Sequence, residues 1–314
     1  MPTTVVPGPG FAHQMPLSSA DRRGITCLIA GGVGFSASDA LTKLSTLSLP
    51  FGEVLAIRGV FTSLLFLGLL AARGELADLK VVTNRAVVGR ALFDVFGTIT
   101  FVLAISNARL GDSTAIVLSS PIFMTLLAIV MYGEKVGLHR WSAILVGIAG
   151  VVLITKPEPQ SFSYWTLLAA VAAVCSAGRD LATRSIGVHV NSLVVAFLSP
   201  AVLSVIGGAL STARGDWIAP DIRLVLILAA TAACYAFGMT LNVQAFRGPV
   251  TLSLISPFRY VMLVWSMIFG IGMFGETPDF FTVAGSVVII ASGLYVLHRE
   301  MVLGRTLTAT APER

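Results

Sequence analysis

Ten apolar runs alternate with short polar segments along the 314 residues of this chain. The first covers residues 25–47, and the others cover residues 51–71, 86–105, 113–132, 139–154, 165–186, 192–212, 222–246, 250–274 and 280–297. The hydrocarbon core of a bilayer requires about 20 apolar residues per helix. Backbone groups in lipid are satisfied only inside helices or closed barrels. The runs therefore predict an all-α polytopic membrane protein with ten transmembrane helices.

Composition excludes the main alternatives to a membrane protein. Hydrophobic residues make up 55% of the chain and charged residues only 12%, whereas a soluble domain carries about 25% charged residues. A chain this apolar is also unlike a disordered one. The cysteines lie far apart without a CxxC pair, and the histidines have no metal-ligand spacing. We therefore expect no metal site, no disulfide framework and no cofactor.

The first apolar run is too long for the core of a cleaved leader. It covers residues 25–47, whereas the apolar core of a signal peptide has about 7 to 15 residues. We therefore expect an uncleaved first helix that follows a polar tail at residues 1–24.

The positions of lysine and arginine predict the orientation in the membrane. With the N-terminus inside, twelve of the 21 cations fall in cytoplasmic segments and four fall outside. This bias follows the positive-inside rule and places both termini in the cytoplasm. The remaining five cations lie inside predicted helices: Lys43, Arg58, Arg90, Arg179 and Arg259. The net charge of +5 is therefore explained mainly by the cations of the cytoplasmic segments, and we expect no nucleic-acid partner.

The two halves of the chain resemble each other. Residues 39–43 (DALTK) are echoed by residues 180–184 (DLATR), and residues 132–134 (YGE) are echoed by residues 274–276 (FGE). Each half holds five predicted helices, and because five is odd the second copy is inverted in the membrane. Inverted repeats are typical of transporters whose substrate site lies near the midplane. The expected units are a tail at residues 1–24, repeats at residues 25–155 and 162–298, and a cytoplasmic tail at residues 299–314.

These halves resemble a known family. Each has a proline in its fourth helix, a Gly-Glu pair at the end of that helix and an apolar closing helix, as in the EamA-type members of the drug/metabolite transporter superfamily. The likeness extends over about residues 25–300. It implies a ten-helix fold with cytoplasmic termini and transport of small organic solutes by alternating access. Residues 58–59 and 104–112 look like the branch that contains bacterial riboflavin and S-adenosylmethionine transporters.

Charged side chains inside the apolar runs are the candidate substrate-binding residues. A charge at the bilayer centre costs about 2.5 to 3.5 kcal/mol on insertion scales, so each one predicts a partner or a water-filled cavity. The candidates, with two aromatic neighbours, are Asp39, Lys43, Arg58, Asp94, Arg179, Asp180, Arg259, Tyr260 and Trp265. Helices one, two, three, six and nine are expected to line the cavity, with prolines such as Pro121 and Pro257 providing flexibility.

Sequence spacing predicts some of the pairings. Asp39 and Lys43 are four residues apart, as are Arg90 and Asp94, which is compatible with ion pairs along one helix face. At the matching helix ends Glu134 and Glu276, a cap or a backbone hydrogen bond is favoured over proton coupling.

Two arginines need partners from elsewhere. Arg58 has no acid on its own helix face, so its expected partner is Asp39, Asp94, or a carboxylate or phosphate of the solute. Arg179 and Asp180 are adjacent and point about 100° apart, so we expect them not to pair with each other.

The resulting prediction is a secondary transporter in the bacterial cytoplasmic membrane. Riboflavin or a similar vitamin is the first-ranked solute, and S-adenosylmethionine or an amino acid is the alternative. The helices hold five cations against three acids, which favours solutes that carry carboxylate, phosphate or carbonyl groups. The partners are a small-molecule solute and the lipid bilayer. Direction, energy coupling and oligomeric state, including a homodimer, stay open.

Other classes of protein fit the residues less well. An intramembrane enzyme acting on lipid-linked substrates would cluster its acids, but here they are spread over helices one, three and six without a metal motif. A channel would show rings of like charge or a filter loop, and neither is evident. Residues 32–37 (GVGFSA) resemble a dinucleotide fingerprint, but no strand precedes them, so they predict close helix packing instead.

Overall fold

The computed structural model describes residues 18–132, 138–155, 164–184, 186, 190–245 and 255–309, and these residues contain helices and no strand. Proceeding along the chain, the α-helices are α1 Ser19–Thr46, α2 Phe51–Ala72, α3 Arg85–Asn107, α4 Leu110–Val117, α5 Ser120–Tyr132, α6 Leu138–Thr155, α7 Tyr164–Arg184, α8 Ser192–Arg214, α9 Ile222–Ala245, α10 Val261–Phe274 and α11 Phe280–Ala309. Two 3₁₀ helices, Leu76–Thr83 and Ser256–Tyr260, precede α3 and α10.

Eight helical segments in the described part of the chain are long and apolar enough to cross a membrane. They are Ser19–Thr46, Phe51–Ala72, Arg85–Asn107, Leu110–Met131, Tyr164–Thr183, Ser192–Arg214, Ile222–Ala245 and Pro257–Phe274. Two further apolar helices, Trp141–Thr155 and Phe280–Val296, are shorter. The prediction of an all-α polytopic membrane protein is confirmed, and the arrangement of ten spans as inverted repeats stays a prediction.

Prolines explain where helices and predicted runs differ. The run at residues 113–132 is divided between α4 and α5, and α4 ends at Val117, four residues before Pro121. A proline ring clashes with the carbonyl four residues earlier, so the helix stops there. In the ninth run, Pro257 is the second residue of the 3₁₀ helix that precedes α10, while residues 250–254 lie outside the described residues.

The closest helix packing joins the first half of the chain to the second. Helix α1 packs on α9, α2 on α8, α3 on α7, and α6 on α11. Glycines permit this approach, because a Cβ at Gly34 would lie 2.8 Å from the carbonyl oxygen of Cys234 and 2.9 Å from the amide nitrogen of Gly238. The prediction that the glycine-rich segment of α1 serves close packing is confirmed.

We expect Gly34→Ala to lower the stability of the fold. The added methyl group would meet backbone atoms of α9, so the two helices must separate, at a cost of about 1 to 3 kcal/mol for overpacking. Gly68 of α2 offers a matched control, because a Cβ there would have nothing within 4 Å. Gly68→Ala is expected to keep or slightly raise stability. Thermal unfolding of the two purified variants in detergent checks this, and equal midpoints would contradict the tight α1–α9 crossing.

Polar contacts between helix ends define two faces of the bundle. At the N-terminal face, where α1 begins, Asn191 Nδ2 donates to Glu75 Oε2 at 2.7 Å and to Asp78 Oδ2 at 2.9 Å. At the far face, where α1 ends, Glu53 Oε2 accepts from the N–H of Ile218 at 3.0 Å. The first pair of contacts joins the segment after α2 to the start of α8, and the last joins α2 to the segment before α9.

Candidate functional site

A cavity of about 550 Å³ lies among α1, α3, α7, α8, α9 and the segment that leads into α10. Small-molecule sites usually measure about 300 to 1,000 Å³. Its lining residues come from the beginnings of α1, α3 and α8 and the ends of α7 and α9, and two of them, Thr183 and Arg259, are exposed. The cavity therefore opens toward the N-terminal face.

A cluster of charges forms one wall of this cavity. Asp94 Oδ1 lies 3.1 Å from Arg179 Nη1, and Asp94 Oδ2 lies 3.7 Å from Arg90 Nη1. Arg90 Nε also donates to Thr183 Oγ1 at 3.2 Å. The predicted Arg90–Asp94 pair is therefore confirmed. Asp94 serves two arginines at once.

The expectation that Arg179 and Asp180 do not pair is wrong. Arg179 Nε and Nη2 each lie 3.0 Å from Asp180 Oδ1. The long aliphatic stem of arginine lets the guanidinium bend across the angle that separates neighbouring side chains on a helix. Both contacts end on Oδ1 of Asp180.

Arg259 is the cavity arginine that has no carboxylate partner within the described part of the chain. It lies in the 3₁₀ helix Ser256–Tyr260, lines the same cavity as Asp94 and Asp180, and has an exposed side chain. The ion pairs of the cavity instead involve Arg90 and Arg179.

A smaller cavity of about 140 Å³ lies deeper in the bundle. Asp39, Arg58, Asp94, Arg179 and Tyr235 are among its lining residues, and the last three also line the larger cavity. Tyr235 is therefore part of the partition between the two spaces.

Arg58 is held by neutral groups. Its Nη2 donates to Ser38 Oγ at 3.4 Å, and its guanidinium carbon lies 5.6 Å from the centroid of the Tyr235 ring, within cation–π range. The sequence predicted Asp39 or Asp94 as a partner of Arg58. The described contacts include no ion pair between Arg58 and either aspartate, although the three side chains line the same small cavity.

Lys43 belongs to a separate polar cluster at the far face. Its Nζ forms an ion pair with Glu276 Oε1 and donates to the carbonyl of Ala108 at 2.5 Å. Glu276 Oε2 accepts from the N–H of Leu110, the first residue of α4, at 2.8 Å. The cation thus binds a carbonyl at the end of α3 and the anion binds an N–H at the start of α4, as unsatisfied helix termini favour. We call these four residues the far-face latch.

The latch corrects one predicted pairing and confirms another role. The expected Asp39–Lys43 pair is wrong, because Lys43 reaches a carboxylate on the segment between α10 and α11 instead. The expected backbone hydrogen bond of Glu276 is confirmed. Its sequence counterpart Glu134 lies outside the described residues.

Two predicted aromatic residues lie in the packed interior. Tyr260 is 7% exposed and belongs to an apolar cluster with Leu263 and Ile289. The Trp265 ring packs toward Gly32 of α1. Neither is among the residues that line the 550 Å³ cavity, so Arg259 is the part of that predicted wall which faces it.

Helices α8 and α9 correspond to the seventh and eighth apolar runs, which were not expected to line the cavity, yet both contribute lining residues. Helix α2 was expected to line the 550 Å³ cavity, but of these two cavities it lines only the smaller. Tyr235 and Asn242 of α9 are the main omissions. Both are polar groups that interrupt an apolar run, a signal that a list of charged side chains and the aromatic neighbours of Arg259 did not include. Within the described residues, no group of three His, Cys, Asp or Glu side chains is placed to hold a metal ion.

The chain is similar in sequence to known transporters. Residues 22–156 match the EamA-like transporter family. The S-adenosylmethionine uptake transporter of Rickettsia bellii is 28% identical over 280 residues, which cover 88% of this chain and 94% of the relative. The riboflavin transporter of Rhizobium johnstonii is 26% identical and covers 88% and 92%. The pseudopaline exporter CntI of Pseudomonas aeruginosa is 24% identical and covers 86% and 94%.

A solved crystal structure is similar in fold. It superposes with a TM-score of 0.60 at 21% sequence identity, and the match covers 94% of this chain and 100% of the other. At this identity the likeness supports the fold alone.

Proposed function

We propose that this EamA-type transporter moves a zwitterionic, amino-acid-derived metabolite of the S-adenosylmethionine class. The family match and relatives that are named as transporters indicate transport rather than catalysis. The observation that supports this solute class is the lining of the cavity, which has charges of both signs on different elements, Asp180 on α7 and Arg259 on the 3₁₀ helix before α10. Phe35 and Tyr235 add aromatic faces suited to a planar base.

Alternating access is supported by the unequal closure of the two faces. The cavity opens toward the N-terminal face, while the far-face latch joins α1 and the α3–α4 junction to the segment after α10. With cytoplasmic termini, as the positive-inside rule predicts, this is a state open to the cytoplasm. We propose the bacterial inner membrane as its location, because the relatives come from bacteria.

Helix pairing supports the proposed inverted repeat of residues 25–155 and 162–298. A two-fold operation that exchanges the halves would exchange α1 with α7 and α3 with α9. It would convert the α1–α9 pair into the α7–α3 pair, and both pairs are observed. It would also keep the α2–α8 and α6–α11 pairs, which are observed too. This symmetry is the arrangement expected for rocking of two halves around a central site.

Riboflavin, ranked first from the sequence, is the second candidate. The rings of Phe35 and Tyr235 lie 5.7 Å apart, edge to face, in the cavity and offer a surface for a flavin ring. A riboflavin transporter is also among the relatives. We rank it below S-adenosylmethionine because a neutral vitamin makes no ion pair with the charged lining residues Asp180 and Arg259.

Thermal unfolding of the purified protein in detergent tests the proposed solute. A ligand that binds only the folded state raises the midpoint in a concentration-dependent manner. We expect S-adenosylmethionine to raise it and adenosine, which lacks the zwitterion, to have little effect. A shift with riboflavin alone would favour the second candidate. Mass spectrometry of the recovered ligand addresses the enzyme alternative, because conversion beyond that in a protein-free control would indicate catalysis.

A further inference from the structure

We infer that Arg259 is the residue by which this transporter selects solutes that carry a carboxylate. The inference rests on the proposed function, because it names the group on the solute that the same cavity recognises.

Charge pairing in the cavity isolates Arg259. Arg90 and Arg179 lie within ion-pair distance of Asp94, and Arg179 also contacts Asp180. The three arginines and two aspartates that line the cavity leave one positive charge uncompensated within the described residues. That charge is at Arg259. A solute carboxylate would meet an unpaired guanidinium there, whereas at Arg90 or Arg179 it would have to compete with a carboxylate of the protein.

The position of Arg259 suits it to hold such a group. The neighbouring backbone is fixed, because Tyr260 is 7% exposed and the carbonyl of Met262 accepts a hydrogen bond from Ser36 Oγ at 3.0 Å. The Arg259 side chain itself extends into the cavity and is exposed. A planar guanidinium matches a carboxylate with two parallel hydrogen bonds. A rigid backbone with a free guanidinium therefore forms a recognition element.

An acidic residue on another element strengthens the selection. Asp180 lies on α7 and lines the same cavity as Arg259, and the contacts from Arg179 end on its Oδ1. A solute with a carboxylate at one end and a cationic group at the other matches Arg259 with the first and Asp180 with the second. A solute that has lost its carboxylate leaves Arg259 unpaired and carries one more positive charge into a cavity that already has an excess of one.

The test compares S-adenosylmethionine with decarboxylated S-adenosylmethionine, which differ only in the carboxylate. Binding of each to the full-length protein in detergent is measured by calorimetry for the wild type, Arg259→Gln and Arg259→Lys. Arg223→Gln is the control, since Arg223 is an exposed residue of α9 outside the cavity lining. The unliganded melting midpoint and gel-filtration profile verify that each variant is folded.

We expect the wild type to prefer S-adenosylmethionine by about 10- to 100-fold, the range for a charged hydrogen-bonded contact. Arg259→Gln should bring the preference close to one, mainly by weakening S-adenosylmethionine. Arg259→Lys should keep part of it, and Arg223→Gln all of it. An unchanged preference in folded Arg259→Gln would overturn the inference and leave the proposed function standing. Failure of the wild type to bind S-adenosylmethionine would overturn both.

Discussion

Glu276→Gln is expected to open the far face and to reduce solute exchange at least tenfold. The change removes the carboxylate partner of Lys43, whose side chain is only 9% exposed. Removing one partner of a buried ion pair costs about 3 to 5 kcal/mol. That cost is as large as the few kcal/mol that separate conformational states. The state with a closed far face is then no longer the more stable one. The protein stays open at the far face and no longer alternates between the two states that transport requires.

Thiol accessibility measures this opening. Ala40 lies one turn before Lys43, is fully buried and packs with Ile105 and Leu110 beneath the latch. Ala40→Cys is introduced after the three native cysteines are replaced, and the rate of modification by a membrane-impermeant reagent is measured from the far side. We expect slow labelling with an intact latch and at least tenfold faster labelling with Glu276→Gln. Equal rates would contradict the role of the latch.

An exposed ion pair of the same face provides the matched control. Arg109 Nη1 lies 3.0 Å from Asp279 Oδ2, and their side chains are 40% and 33% exposed. Exposed pairs of this kind contribute about 0 to 1 kcal/mol. Arg109→Gln should therefore leave the labelling of Ala40→Cys nearly unchanged, which separates the latch from a general loss of charge at this face.

Asp94→Asn is expected to produce the largest loss of stability among the cavity variants. Asp94 is the carboxylate shared by Arg90 and Arg179, and its side chain is 12% exposed. Its removal leaves the buried Arg90 without a carboxylate partner, which lowers the free energy of unfolding by about 3 to 5 kcal/mol. Asp180→Asn is the control, because Arg179 keeps Asp94 as a partner. Unfolding midpoints measured without ligand should fall far more for Asp94→Asn, and similar midpoints would contradict the sharing.

The double variant Asp94→Asn with Arg90→Gln separates ion-pair loss from loss of shape. Arg90 loses its carboxylate partner in Asp94→Asn, whereas Arg179 keeps Asp180. Removal of Arg90 as well should recover part of the stability that Asp94→Asn alone loses, because the unpaired buried charge is gone. Strictly additive losses would show that the two side chains do not depend on each other.

The sequence could predict whatever depends on local spacing. Apolar run lengths identified the membrane helices, the four-residue spacing identified the Arg90–Asp94 pair, and small residues identified the close packing of α1. The charged residues of the runs were a sound list of candidates, because charge inside a bilayer needs a partner wherever it lies.

Contacts between distant segments lay beyond that reasoning. Lys43 and Glu276 are 233 positions apart, so local spacing could not identify Glu276 as the partner of Lys43 and pointed to the nearby Asp39 instead. Tyr235 is uncharged, and its role in the partition between two cavities depends on how α9 packs against α1. The bend of Arg179 toward Asp180 depends on the flexibility of a side chain rather than on helix geometry.

Exchange of S-adenosylmethionine across the membrane of protein-containing liposomes tests the central proposal most directly. Liposomes are loaded with unlabelled S-adenosylmethionine and diluted into a buffer that contains a low concentration of the labelled compound. We expect saturable accumulation of label that requires the internal compound and is lost in the Glu276→Gln variant. A wild-type protein that binds S-adenosylmethionine yet leaves the label outside would contradict alternating access of this solute through the cavity.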